Sequence, residues 1–297
     1  MRPLYTTLLT LLVIASGTTF AQKPSEQEEL ALAAMEGLMA QPPERALPII
    51  KKVLAGSQTT LIKKRALFVL SQIDTPEAED ILLQTSRSPD VALRNEAIRS
   101  IGIGGHDKAL AGLQQIYAAG GADVKKQVLH AWMIAGRKQE VYQAAINAKS
   151  EDDADAAIQM LSVMGAVDEL RKLGERPNAS GKLVEAYAIS GDLQSLRKIA
   201  EGSAETSVRA EAVRKIGIVS TDAARTALRD IYSRSTDREI KDAALEGMLI
   251  AGDEKGVLAL YRSATTADEK RSLLRTLTMM DGDAALEVID AALEGRK

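Results

Sequence analysis

The sequence predicts an all-α fold: a right-handed α-solenoid of about eight two-helix repeats with a capping helix at each end. Three observations predict it. The stretch DVALRNEAIRSIGIGG at 90–105 returns, altered, as VRAEAVRKIGIVS at 208–220, and weaker copies recur about every 30 residues. Within those copies, positions at helical spacing keep constant chemistry. Alanine and leucine dominate the composition, aromatic residues make up 3% and cysteine is absent, as expected of helices that approach one another over small side chains.

The chain has 297 residues, too many for one compact core, yet no Pro/Gly/Ser-rich linker divides it. Its net charge of −3, with both signs interspersed, leaves no electrostatic footprint for nucleic acid or anionic lipid. Without cysteine there is no disulfide, thiolate nucleophile or lipidated anchor.

Taken in order, residues 1–21 read as a secretory signal peptide. Arg2 supplies the positive start, Leu4 to Ala15 the apolar run, and the small residues up to Ala21 the cleavage site. The expectation is an exported chain, periplasmic or secreted, that starts at Gln22 and has no further membrane insertion. Residues 22–297 form one domain, with repeats over roughly 43–282 and capping helices at 25–40 and 283–294. In the first cap, Leu30, Ala33, Ala34 and Leu38 are spaced as one helical face, and Pro42-Pro43 stops it. Ala46 to Leu54 is the next helix. The second helices of successive units are predicted to end at Ile73, Gly105, Gly136, Gly165, Gly191, Ser220, Gly252 and Gly282, mostly glycine, as a left-handed helix terminus favours. Asp74, Asp107, Asp192, Asp222, Asp253 and Asp283 follow as candidate caps. In the last helix Leu286, Ile289 and Leu293 share a face. Polar outer faces at both ends favour a monomer.

Counted forward from Lys63, Arg94, Lys125, Ala154, Lys182, Arg209, Lys241 and Lys270, the columns at three, four and seven positions are apolar or Ala, apart from Glu185. Those offsets fall on one helix face. One helix pair cannot bury such a stripe alone, and stacked pairs make it continuous. The column five positions on, which includes Phe68, Arg99, His130, Tyr187, Arg214 and Arg275, has no constant chemistry and is expected to point outward. Residues 94–119 also align without gaps on 209–234, keeping Glu96/Glu211, Arg99/Arg214, Asp107/Asp222 and Tyr117/Tyr232. This suggests a duplicated block of four units. The units over 154–191 are degenerate and predict altered curvature near 165–191.

The text at 90–102 resembles a HEAT-type repeat, and the short period resembles the phycobilisome-lyase-like variant. The resemblance spans roughly 43–294. It implies second helices on the concave face and a scaffold or binding role. Some relatives are bilin lyases or their subunits, which the secretion signal argues against.

Chemistry-bearing signals are sparse. His106 and His130 lack the spacing of a metal site, and no cofactor motif appears. Gly102 to Gly105 has neither the strand nor the Gly-Lys-Ser/Thr ending of a P-loop, so it reads as a helix-ending turn. The basic column reads as bonds between repeats, and Tyr117, Tyr142, Tyr232 and Tyr261 read as packing residues. Asn178-Ala179-Ser180 fits a glycosylation sequon. The expectation is a non-enzymatic, exported scaffold that binds a partner protein or peptide, with Phe68, Arg99, His130, Tyr187, Arg214 and Arg275 as candidate contacts because Arg and aromatic residues dominate interface hot spots. An enzyme subunit related to bilin lyases and a structural element of a cell envelope are the alternatives.

Overall fold

The structure, a computed structural model, describes residues 24–176, 181–280 and 282–293. The expected signal segment and the sequon at 178–180 lie outside these residues. The described elements are α1 (Glu26–Gly37), a 3-10 turn (Leu38–Ala40), α2 (Pro43–Ala55), α3 (Thr60–Leu70), α4 (Pro76–Thr85), α5 (Val91–Gly104), α6 (Asp107–Ala119), α7 (Ala122–Ile134), α8 (Lys138–Ile146) and α9 (Glu151–Val163). There follow α10 (Val167–Gly174), α11 (Lys182–Ile189), α12 (Leu193–Ala200), α13 (Thr206–Val219), α14 (Asp222–Arg234), α15 (Arg238–Ile250), α16 (Glu254–Ser263), α17 (Ala267–Thr278) and α18 (Asp283–Leu293). No strand occurs among the described residues.

The chain is an α-solenoid of two helical layers. The odd-numbered helices α1 to α17 pack on one another in sequence as the second-helix layer. The even-numbered helices cover them, with direct contacts between α4 and α6, α8 and α10, α14 and α16, and α16 and α18. Small residues allow the second helices to come close. A Cβ on Gly102 would lie 2.7 Å from the Ala131 Cα, and one on Gly217 would lie 2.8 Å from the Gly247 Cα. Between the layers runs one continuous core that includes Leu67, Ile98, Leu129, Val213 and Met248.

Most of the repeat register holds. The apolar columns three, four and seven positions along are buried in seven units of the eight, in each case with one exposed or half-buried exception: Glu185, Leu274 and Ile189 respectively. The caps are distributed differently. Asp192 and Asp253 do cap, accepting from the amides of Ser195 and Gly256 at 3.2 Å. At two other junctions a threonine one residue away caps instead: Thr75 beside Asp74, and Thr221 beside Asp222. A threonine there has extended φ and ψ and can reach the third amide, whereas Asp222, like Asp107, already lies in the first helical turn and complements its dipole. Two expected ends also move. Helix α3 stops at Leu70, three residues before Ile73, and α17 stops at Thr278, four before Gly282.

The end helices depart further from expectation. Helix α1 buries Met35, with Ala31, Leu32 and Leu38 packed beside it, while Leu30, Ala33 and Ala34 face solvent. The spacing of 31, 35 and 38 gives one stripe, and it is offset from the face of Leu30. Helix α18 buries Ala285 and Val288 and leaves Leu286 and Leu293 exposed. Neither end is a uniformly polar cap, which removes that argument for a monomer.

Candidate functional site

The second helices α5, α7, α9, α11, α13 and α15 each run into a residue with positive φ: Gly105, Gly136, Gly165, Gly191, Ser220 and Gly252. Their φ values of 54–74° are disfavoured for residues with a Cβ, and five of the six positions use glycine, which adopts them without strain. Counting backwards from these residues gives a common register for all six helices. Four positions back lie Ile101, Trp132, Leu161, Tyr187, Ile216 and Met248, all buried. Six positions back lie Arg99, His130, Gln159, Glu185, Arg214 and Glu246, all exposed or half-buried.

This count corrects the expectation for Tyr187. Counting forward from Lys182 put it on the outward column. Anchored on Gly191, it takes the core position of Trp132 and Met248, and it is only 5% exposed. Its hydroxyl donates to the Leu170 carbonyl at 3.2 Å. Burial, reinforced by the nearby charge of Asp192, raises its pKa. Glu185 takes the outward place instead, which also explains why it interrupts the apolar column.

The remaining candidates divide. Phe68 is half-buried beneath the Arg65 guanidinium, 5.5 Å from its ring centroid. Arg99 is exposed and pairs with Glu96 of its own helix. Arg214 bridges Glu246 of α15 at 2.5 Å and Glu211 of α13 at 3.4 Å, so it ties two repeats together. His130 is half-buried and Arg275 exposed. These residues come from five different helices and converge on no single point.

Two positions before each positive-φ residue is a column that the forward count missed. It reads Ile103, Ile134, Val163, Ile189, Ile218 and Ile250. The last five are between 43% and 61% exposed, and Ile103 is partly covered. A spacing of four residues from the outward polar column places both on the same face of every helix. The second-helix layer therefore carries a ladder of β-branched rungs at the C-terminal ends of its helices, beside a polar column. Its signal in the sequence is simple: Ile or Val always stands two residues before the turn.

A groove of about 410 Å³ crosses this face between α9 and α11. Its lining combines Asp152, Asp155 and Glu185 with Lys182 and the apolar Ala156 and Ile189. A shallower continuation reaches Glu151 and α13. Of the ladder residues only Ile189 lines this groove, beside Glu185, while Asp152 lies at the first turn of α9, and Lys182 and Lys215 set positive charge among the carboxylates.

Two of the basic starts of the second helices act between repeats, and Arg209 bonds the first helix of its own unit. Lys125 bonds Asp153 of the next unit at 2.5 Å and lies 5.8 Å from the Tyr117 ring centroid. Lys241 repeats this with Glu269 at 2.6 Å and Tyr232 at 4.8 Å. Burial and the carboxylates of Glu269 and Asp242 push the Tyr232 hydroxyl up to about 12. Arg209 donates to the Ala200 carbonyl at 3.1 Å. His106, at the turn after α5, places Nε2 3.1 Å from the Ser71 carbonyl and Nδ1 3.4 Å from Asp74. Among the described residues no three His, Asp or Glu side chains converge as a metal site.

Residues 47–133 match the family model for HEAT repeats, in agreement with the resemblance seen at 90–102. No curated protein sequence is significantly similar to the chain. Among solved structures, human deoxyhypusine hydroxylase in complex with glycerol aligns at 14% identity and a TM-score of 0.34, over 86% of this chain and 98% of that one. The complex of CpcE and CpcF of phycocyanin lyase from Nostoc sp. aligns at 17% identity and a TM-score of 0.34, over 87% and 96%. A designed self-assembling cyclic homooligomer aligns at 14% identity and a TM-score of 0.15, over 91% and 100%.

Proposed function

We propose that this chain, with HEAT repeats over 47–133, is a non-enzymatic scaffold that binds a partner protein or peptide across its second-helix face. The observation that carries the reading is the ladder Ile134, Val163, Ile189, Ile218 and Ile250. Single exposed apolar residues are ordinary on a protein surface, but a row repeated in register over five units forms a patch, and patches mark interaction sites. The ladder has no part in ending the helices. The hydrophobic contact that accompanies a left-handed helix terminus uses residues further back and beyond the turn, not this position. Burying a whole Ile side chain is worth about 1.5–3 kcal/mol, so covering the exposed half of five rungs yields about 5 kcal/mol before association costs. Arg99, His130 and Arg275, on or near the same face, would add polar contacts at its margin.

The test is affinity purification with the full chain and with the triple variant Val163→Gln/Ile189→Gln/Ile218→Gln. The expected result is a partner retained by the wild type and lost by the variant at unchanged melting temperature. Equal capture by both would overturn the reading. Charge reversal at Arg99 and Arg275 together, both exposed, should weaken the same capture.

We also place the protein outside the cytoplasm, on the signal-like character of residues 1–21. The mass of the protein from an envelope fraction should correspond to a chain starting at Gln22. An unprocessed, cytoplasmic chain would contradict this.

A further inference from the structure

Trp132 is the chain's only tryptophan, and it occupies a core column. At the same place, four positions before the positive-φ residue, the other units carry Ile101, Leu161, Tyr187, Ile216 and Met248. Of these only Tyr187 has a polar group, and its hydroxyl donates to the Leu170 carbonyl. Trp132 is 2% exposed, and its Nε1 has no hydrogen-bond partner. An indole N–H can only donate, and a buried donor without an acceptor bears its whole desolvation cost. The Tyr117 ring lies 5.3 Å from that of Trp132, and the Tyr117 hydroxyl is likewise buried without a partner.

The duplicated unit supplies a contrast. There Glu269 bonds Lys241 at 2.6 Å and also reaches the hydroxyl of Tyr232, the counterpart of Tyr117. Asp153 is one methylene shorter. It bonds Lys125 at 2.5 Å but leaves the Tyr117 hydroxyl unpaired. Burial, and then the charge of Asp153, raise the Tyr117 pKa. Tyr117 and Trp132 both line a cavity of about 390 Å³ between α6, α7 and α8, a size suited to a small molecule. Ala118, Ala144 and Ala148 make its wall partly apolar. Its charges balance, Lys125 and Lys149 against Glu140 and Asp153. A carboxylate already acting on the Tyr117 hydroxyl disfavours a second anion there, and an ammonium group has no lone pair to offer the indole. A neutral acceptor remains.

We propose that the cavity between α6, α7 and α8 binds a neutral small molecule with an apolar body and a carbonyl oxygen, which accepts from Trp132 Nε1 and the Tyr117 hydroxyl. Both atoms are shut off from bulk solvent, so the oxygen reaches them as lining side chains turn aside. Gln114, Gln143 and Lys149 in the lining are exposed, and exposed side chains change rotamer readily. None of the ladder residues lines this cavity, so the site stands apart from the reading of the second-helix face.

The single tryptophan makes the test specific, because the full chain labelled with nitrogen-15 gives one indole N–H resonance. The probes are cyclohexanecarboxamide, its carboxylate analogue and cyclohexylmethylammonium, which share an apolar body and differ in the polar group. The amide should move the indole proton downfield and saturably. The carboxylate should bind more weakly, and the ammonium should leave the resonance in place. Tyr117→Phe should bind the amide about fivefold more weakly, the loss of one hydrogen bond, and melt no lower than the wild type, since that hydroxyl has no partner to lose. Asp153→Glu, which gives this unit the carboxylate of its copy, should weaken binding similarly by occupying the hydroxyl. Tyr232→Phe should bind as the wild type does. An indole resonance that the amide does not move, as a trapped water alone would leave it, would overturn the proposal. So would equal binding of the carboxylate or the ammonium, undiminished binding by Tyr117→Phe or Asp153→Glu, or an equal loss in Tyr232→Phe. Loss of the captured partner from the ladder variant bears on the scaffold reading alone.

Discussion

Gly217 should be among the least replaceable residues of the second-helix layer. It lies inside α13, where alanine would ordinarily stabilise the helix by about 1 kcal/mol. Here a Cβ would lie 2.8 Å from the Gly247 Cα and 2.9 Å from its carbonyl carbon, closer still to its carbonyl oxygen, and real Cβ atoms essentially never come within 3.0 Å of another atom. Every atom in the way is backbone of α15, so no side chain can rotate to make room. The two helices must move apart, and neighbouring contacts of Val213 and Met248 loosen with them. Overpacking of this kind costs about 1–3 kcal/mol, and a backbone obstacle places it at the upper end. Offset by the gain in propensity, Gly217→Ala should lose about 2 kcal/mol. Gly37 supplies the contrast. It has right-handed helical angles, and nothing lies within 4 Å of where its Cβ would be. Gly37→Ala should therefore gain about 0.5–1 kcal/mol. Urea denaturation of both variants under one set of conditions gives the difference. Hydrogen exchange should place the Gly217→Ala loss in α13 and α15, because each repeat is held only by its neighbours. A Gly217→Ala protein as stable as the wild type would refute the close approach of these helices.

Other substitutions probe separate parts of the account. Ile98 is fully buried in the core column, and Ile98→Lys should cost more than about 3 kcal/mol in thermal or urea unfolding, since the charge has no partner there. Gly136 ends α7 at φ 68°, so Gly136→Ala should lose about 1 kcal/mol by the same measurement. Asp192 receives the Arg171 guanidinium at 2.8 and 2.6 Å and caps α12. Burial pushes its carboxyl up, but the bonds from Arg171 and Ser195 outweigh that and hold it below its ordinary value. Its stabilisation is thus complete above about pH 4, the unfolded value, and disappears as pH falls through the lower folded value. Asp192→Asn should cost about 2 kcal/mol at pH 7, moderated because Arg171 is partly exposed, and the wild-type and variant stability curves should converge in acid. A constant gap between them at every pH would contradict this assignment.

The architecture was legible in the sequence because repetition multiplies weak signals. No single Ala-Ile pair specifies a solenoid, but Ala97-Ile98 and Ala212-Val213 at matching offsets do, and both pairs are buried. The site was less legible, and the reason lies in where the count began. Basic residues such as Lys182 sit at solvent-exposed helix starts, where nothing fixes their register to one residue. The left-handed glycines are pinned by backbone geometry and keep register even in the short unit, where α10, α11 and α12 have 8 residues each. Tyr187 moved from outward face to core for that reason alone. The ladder escaped notice because an Ile or Val in an alternately apolar helix looks like core, and only burial separates Ile216 from Ile218. The end helices misled for a related reason: Leu30 and Leu286 follow a helical period, but the neighbouring stripes containing Met35 and Val288 are the ones that bury.

The most direct test of the second-helix face is hydrogen exchange of the full chain with and without its captured partner. The account predicts new protection at the C-terminal turns of α7, α9, α11, α13 and α15, centred on Ile189. Protection confined to the even-numbered helices or to the two ends would contradict it.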